Sequence, residues 1–126
     1  DKGAKRMFLW LRKGKSIALL MDQKLNEGME INFLGKPAFT ATAIAELAIR
    51  MDLDIVPIKI SRKNSRSTEI MFFNKLRIPK NKIAHKKKVA IILTKINLQI
   101  SKWIQAEPEQ WLWVHRRWSK AIHKKH

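Results

Sequence analysis

The sequence predicts an α/β fold, a mostly parallel sheet flanked by helices, and three observations predict it. The chain has 126 residues, a length that ordinarily makes one domain. Short apolar, β-branched runs alternate along it with segments whose apolar residues recur every three or four positions, the strand–helix–strand order of a parallel sheet. One of those runs, Ser16–Met21, is continuously apolar from Ile17 onward, the pattern of a strand covered on both faces.

Lys2 to Lys13 reads as a helix, with Ala4, Met7, Phe8 and Leu11 on one side, basic residues on the other and Gly14 where a helix stops. After the Ser16–Met21 strand, Asp22–Asn32 reads as a polar loop with Asn26 and Gly28 as turn formers, and Phe33–Phe39 as an irregular apolar stretch punctuated by Gly35 and Pro37. Thr40 is placed to cap a helix reaching Met51, whose stripe Ala41, Ile44, Ala45 and Ala48 is small enough to lie close on a sheet. Asp54–Ser61 is the next strand. Pro57 within it has no N–H to give to a ladder and so points to an edge or a bulge. Ser61–Ser67 is a polar turn, Thr68–Phe73 and Leu76–Ile78 are two short strands, and Lys80–Lys88 is a basic loop. From Lys87 to Ala106, Val89, Ile92, Ile96, Ile100, Trp103 and Ile104 line one side of a long helix that Pro108 ends. Residues 1–118 are thus expected to form part of one domain, and 119–126 a basic, disordered tail.

Charge narrows the function. There are 27 Lys and Arg against 10 Asp and Glu, a formal net charge of +17, which attracts polyanions: nucleic acid, an anionic membrane surface or a phosphorylated substrate. Most of the cations are lysines, point charges suited to solvated faces, whereas bidentate phosphate or base recognition favours arginine. The absence of cysteine excludes a disulfide scaffold, a thiolate zinc site and a cysteine nucleophile. No apolar run approaches the roughly 20 residues a membrane helix needs. The four glycines, at 3, 14, 28 and 35, exclude a dinucleotide fingerprint and a phosphate-binding P-loop. None of His85, His115, His123 and His126 is followed five positions later by an acid, so no His-x4-Asp/Glu pair exists and no catalytic residue is assigned in this chain. No metal site is assigned either.

Three segments remain. Asp22-Gln23-Lys24 follows the apolar strand, and the carboxyl ends of strands are where open α/β sheets bind ligands; a turn satisfying its own backbone is the alternative. Asn32–Thr40 carries Phe33 and Phe39, which line either an apolar groove or the core. Pro108–Trp118 holds three of the five tryptophans, and on a helix Trp111, His115 and Trp118 would share one face. Tryptophans beside Arg116 and Arg117 suit a membrane interface, stacked single-stranded bases, or a terminal cap on the core.

The chain resembles the C-terminal part of the bacterial lipid A biosynthesis acyltransferases, the Kdo2-lipid A lauroyl and myristoyl transferases. The resemblance rests on an ordered series: Gly14 and Ile17–Leu20 leading into Met21-Asp22-Gln23; Gly28, then Phe33-Leu34-Gly35-Lys36-Pro37-Ala38 and Thr40; Ala45–Ala48; Ile55-Val56-Pro57 and Arg62; Asn97; and Pro108-Glu109-Gln110-Trp111-Leu112-Trp113-Val114-His115-Arg116-Arg117-Trp118. The last string is long and compositionally improbable, and the series spans Gly14 to Trp118. It implies a glycerolipid-acyltransferase-like fold with its N-terminal part missing. The implied activity moves a fatty acyl group from acyl carrier protein, the co-substrate in place of any cofactor, to a hydroxyl of the lipid A precursor, with a His-x4-Asp/Glu pair as base and orienter. The implied substrate-binding residues are Asp22, Gln23, Lys24, Phe33, Gly35 and Arg62. Trp111, Trp113, His115, Arg116, Arg117 and Trp118 take structural or interface roles. The implied partners are the precursor, acyl carrier protein and the anionic inner-membrane surface, on its cytoplasmic face, with no nucleic acid. A truncated inactive remnant and a small basic nucleic-acid-binding module are the competing readings.

Overall fold

Three helices and two tight hairpins are joined by extended segments in the computed structural model of the chain, which describes residues 2–25, 27–114 and 116–119, the side chains of Lys2 and Ala4 excepted. The order is α1 (Lys2–Arg12), β1 (Met29–Phe33), β2 (Lys36–Thr40), α2 (Ala43–Met51), β3 (Ile58–Arg62), β4 (Thr68–Phe72) and α3 (His85–Ala106), then a single 3₁₀ turn, Pro108–Gln110. Helix α1 ends as its sequence asks. Gly14 takes a left-handed φ of 72°, its N–H meets the Leu11 carbonyl at 2.9 Å, and the Lys15 N–H meets the Trp10 carbonyl at 3.1 Å. Those two bonds are the Schellman closure that glycine permits.

The parallel sheet expected from the sequence is absent. The described residues form two separate antiparallel pairs, β1–β2 and β3–β4. Ser16–Met21, expected as a buried strand, carries no strand pairing, and Leu20 is 76 % exposed. A strand needs a neighbour to take its N–H and C=O groups, and among the described residues no strand pairs with this segment. The continuous apolar run therefore records a preference for burial, not the presence of pairing partners. Pairing is instead local. The β1–β2 hairpin runs through the stretch expected to be a loop followed by an irregular run. Leu34 and Gly35 turn it with φ of 51° and 79°, the two positive values of a type I′ connection. Its register sets Ile31 opposite Ala38 and Phe33 opposite Lys36. Ile31, Phe33, Ala38 and Thr40 face inward and the alternate residues Glu30, Asn32, Pro37 and Phe39 outward, the period of two of a half-buried sheet.

Three further boundaries differ for identifiable reasons. The strand expected over Asp54–Ser61 begins at Ile58, just after Pro57, whose carbonyl still accepts the Phe73 N–H at 3.0 Å. Leu76–Ile78 forms no strand; Leu76 donates to the Ile55 carbonyl at 2.8 Å, and both Leu76 and Ile78 pack on the core. Thr40 does not cap α2. Thr42 holds that position without a side-chain bond, because the Thr40 hydroxyl is engaged in the interior.

Helix α3 spans two adjoining apolar clusters. Ile31, Ala45, Ala48 and Ile55 close on Val89, Ile92, Leu93 and Ile96. Farther along the helix, Phe33, Ala38 and Trp118 close on Ile104. Each fully buried large aliphatic contributes about 1.5–3 kcal/mol relative to exposure. The hairpin is held tightly at its open end, where a Cβ on Gly28 would run into the main chain of Thr40. Gly28→Ala therefore lowers the urea midpoint of unfolding by an amount equivalent to about 2 kcal/mol or more, with the slope unchanged. Gly14→Ala, in open space, costs only its left-handed backbone, about 1 kcal/mol.

Candidate functional site

The extended segment 14–23, residues 53–60, the C-terminal half of α3 and residues 110–114 enclose an open cleft of about 1110 Å³. Its lining is mainly apolar, with Ile17, Leu20, Ile55, Ile58, Ile100 and Ile104, and carries a few polar groups, Asp22, Gln23, Lys59, Glu107 and Gln110. That combination is the general form of a ligand site. Lys59, on β3, reaches Glu107 just past α3 at 2.5 Å. Beside it, Gln110 clamps the backbone of Arg62, accepting its N–H at 2.9 Å and donating to its carbonyl at 3.0 Å.

One carboxylate on this lining is locked in place. The Trp111 indole N–H donates to Asp22 Oδ2 at 3.1 Å, joining residues 89 apart in sequence. Trp111 is itself fixed, stacked on Trp113 with 5.5 Å between centroids and an interplanar angle of 7°, and set edge-on to Phe33 at 5.8 Å. Gln23 is exposed along the cleft, whereas Lys24, Gly35 and Arg62 stand outside its lining. Gly35 is the exposed tip of the hairpin, and what the structure uses of Arg62 is its backbone. Phe33 is wholly buried, between Trp111, Trp118 and the Arg117 guanidinium, which lies 4.6 Å from its ring centre.

The Trp-rich end is not a helix. Past Gln110 the chain makes two successive tight turns, Trp113 N–H to the Trp111 carbonyl at 3.1 Å and Val114 N–H to that of Leu112 at 3.0 Å. His115 lies outside the described residues, so its place on the expected shared face is not described; Trp111 and Trp118 nonetheless meet edge to face at 6.3 Å. Arg116 is exposed, while Arg117 is 1 % exposed. Arg117 donates through Nη1 to the Phe39 carbonyl at 2.5 Å and through Nη2 to Thr40 Oγ1 at 3.0 Å. Burial pushes its pKa down, and the negative charge of Asp22 works against that shift.

The resemblance included Asn97 without giving it a role, and sequence reasoning did not foresee that it completes this arrangement. Asn97, fully buried on α3, donates to Thr40 Oγ1 at 3.0 Å and to the Asn32 carbonyl at 3.1 Å. One turn on, Ser101 Oγ accepts the Leu34 N–H at 3.0 Å. A signal existed: Asn97 and Ser101 follow Leu93 at intervals of four, placing amide and hydroxyl on the apolar face of the helix, where an unpartnered polar group is costly.

A family model described as bacterial lipid A biosynthesis acyltransferase matches residues 1–120. The chain belongs to that family. No curated protein sequence matches it. Membership indicates acyl transfer in lipid A biosynthesis and a lipid A-type substrate. Among the described residues, no helix of this lipid A acyltransferase family member is long and apolar enough to cross a membrane.

Among the described residues, one histidine–carboxylate pair forms in space, His85 Nε2 to Glu46 Oε2 at 2.6 Å. Both side chains are exposed and neither lines the cleft, so the pair ties α2 to the start of α3 and faces solvent rather than a ligand. The cleft's own charge pair responds to pH. The hydrogen bond from Lys59 holds the Glu107 carboxyl below its ordinary 4.5; burial opposes this, and the positive charges of Lys59 and Lys63 add to it. A depressed folded-state pKa gives stability that is present above the unfolded value and disappears as pH falls through the folded one. Urea unfolding between about pH 5 and pH 3 therefore shows a stability loss that is shallower in Glu107→Gln, and the variant is the less stable protein at pH 7.

Proposed function

We propose that this chain forms the acceptor-binding part of an acyltransferase that moves a fatty acyl group from acyl carrier protein to a hydroxyl of the lipid A precursor, working at the anionic cytoplasmic face of the inner membrane. The observation that carries the reading is Asp22: a carboxylate pinned at 3.1 Å by the Trp111 indole on the wall of a large apolar cleft, in a chain matched by the family over residues 1–120. Acyl transfer to a sugar hydroxyl needs the oxygen held in line with a thioester carbonyl, and a fixed acceptor group positions a hydroxyl without ordering cost at the moment of reaction.

In this reading the chain binds and orients. Asp22 and Gln23 face the polar part of the acceptor and the apolar lining takes hydrocarbon. The net charge of +17 draws in an acceptor bearing phosphates and sugar acids, and an acidic carrier protein. Exposed Lys36, Arg62 and Arg116 are free to meet those anions. Arg117 is enclosed and holds the interior instead. The sequence contains no His-x4-Asp/Glu pair, so proton abstraction from the acceptor is not assigned to any residue of this chain.

Titration with lipid A precursor in detergent, followed by tryptophan fluorescence, tests the reading. Saturable binding is expected, weakened roughly tenfold by Asp22→Asn or Gln23→Ala, the scale of one lost polar contact. Binding unchanged in both variants overturns the assignment. Tight, salt-sensitive binding of single-stranded nucleic acid without lipid binding would make the chain a basic nucleic-acid module.

A further inference from the structure

Asp22 is the one carboxylate on the cleft lining that forms no ion pair among the described residues; Glu107 is taken by Lys59, and Asp54 by Lys75 at 3.0 Å. Its hydrogen bond from Trp111 comes from a neutral indole. The two cations on the same lining are engaged elsewhere, Lys59 with Glu107 and Lys15 over the Trp10 ring at 5.2 Å. Arg117, outside the lining, is the one buried cation among the described residues, and it too forms no ion pair there. Two rings connect the unmatched guanidinium to the unmatched carboxylate. Arg117 lies 4.6 Å from the Phe33 ring centre, Phe33 meets Trp111 edge-on at 5.8 Å, and Trp111 donates to Asp22.

The contacts of Arg117 do not account for its charge. A neutral amide could donate to the Phe39 carbonyl and the Thr40 hydroxyl, and an apolar stem could cover Phe33. Burying a cation without an ion pair costs stability that a neutral side chain would spare. What only a cation supplies is a positive field, and the protein interior screens that field weakly. Asp22 is the anion that answers it: burial lowers the Arg117 pKa, and the negative charge of Asp22 opposes that shift.

We propose that Arg117 is a positioning residue for the acyl transfer, its enclosed charge holding Asp22 as an anion and its grip on the first hairpin holding Trp111 against that carboxylate. The proposal rests on the acceptor-binding reading and deepens it, since it names the charge that backs the group meeting the acceptor hydroxyl. The need for that charge arises when the cleft fills. A ligand that displaces water from the lining strips Asp22 of hydration, and desolvation favours the neutral acid. A neutral acid would present a proton donor where the hydroxyl needs an acceptor. Arg117 stays protonated and opposes that change. Two further bonds keep it in place. Asn97 shares the Thr40 oxygen at 3.0 Å, and the Trp118 indole donates to the Phe33 carbonyl at 3.3 Å.

The Trp111 indole N–H reports on Asp22 without any ligand. Its nitrogen–proton NMR resonance, assigned with Trp111→Phe, is followed through an acid titration of the wild-type chain and of Arg117→Gln, Arg117→Lys and Asp22→Asn, each checked for retained helicity. The wild-type resonance moves through an acid transition that Asp22→Asn lacks. In Arg117→Gln, which keeps a donor and removes the charge, the transition moves to higher pH by about half a unit or more, roughly a threefold change in proton concentration. In Arg117→Lys, which keeps the charge, it stays at the wild-type pH. No shift in the glutamine variant, or an equal shift in the lysine variant, overturns the proposal and leaves Arg117 a packing residue only. A wild-type indole resonance without an acid transition overturns it as well. If the glutamine variant does not fold, the wild-type chain decides alone. The Arg117 Nε–H has no hydrogen-bond partner among the described residues, and its resonance moves at the same pH as the indole when the two charges are coupled. A guanidinium resonance that ignores the transition overturns the proposal. These titrations contain no lipid A precursor. Coupling without precursor binding therefore refutes the acceptor reading, and precursor binding without coupling refutes the role of Arg117.

Discussion

A guanidinium that is 1 % exposed and makes no ion-pair contact among the described residues must be satisfied by groups fixed in place, because burying an unpaired charge costs several kcal/mol. Arg117 meets this through its two terminal nitrogens, with a carbonyl, a hydroxyl and an aromatic face, while its Nε has no hydrogen-bond partner among the described residues. Phe39, Thr40 and Phe33, all on one hairpin, supply them. The Thr40 hydroxyl also accepts from Asn97 on α3, so a single oxygen joins the hairpin, the long helix and the C-terminal segment. Other features of the site follow from that junction. With Arg117 anchored, Trp118 is drawn in beside Phe33, Trp111 packs on both, and the Trp111 indole reaches Asp22.

The junction also separates what is rigid from what is available. Trp111 and Trp118 belong to the interior, and Trp113, one ring outward in the same stack, belongs to the surface. A bound acceptor would thus meet a carboxylate whose position is set by the core and an apolar wall that continues out to the exposed residues. The Lys59–Glu107 pair and the Gln110 clamp on Arg62 tie the second hairpin to the end of α3, and Lys59, Glu107 and Gln110 all line the cleft.

Helices were legible because their signals are local: periodic apolar residues, Gly14 at one end, Pro108 at another. The long helix begins only two residues earlier than expected, and five of its six expected apolar positions from Val89 to Ile104 stay on the packed side with Trp103 half-buried against Phe73. Sheet architecture was not legible, because pairing is a relation between segments. The run Ser16–Met21 has the composition of a buried strand without the neighbours that would make it one. The first hairpin was hidden for another reason: Gly35 was visible as a turn residue, but Leu34 beside it adopts a left-handed φ of 51° that leucine rarely takes. Asp22 was singled out by position along the chain. Its lock to Trp111 was not foreseeable, since 89 residues separate them and only the fold closes that distance.

The account stands on the shared Thr40 oxygen, and a double-mutant cycle between Asn97→Ala and Arg117→Met measures it most directly. The two side chains donate to one acceptor from elements 20 residues apart in sequence. If that acceptor couples them, their destabilisations depart from additivity by about 1 kcal/mol or more. Additivity within about 0.3–0.5 kcal/mol would contradict it: Asn97 and Arg117 would then be two independent buried residues, not donors coupled through one oxygen.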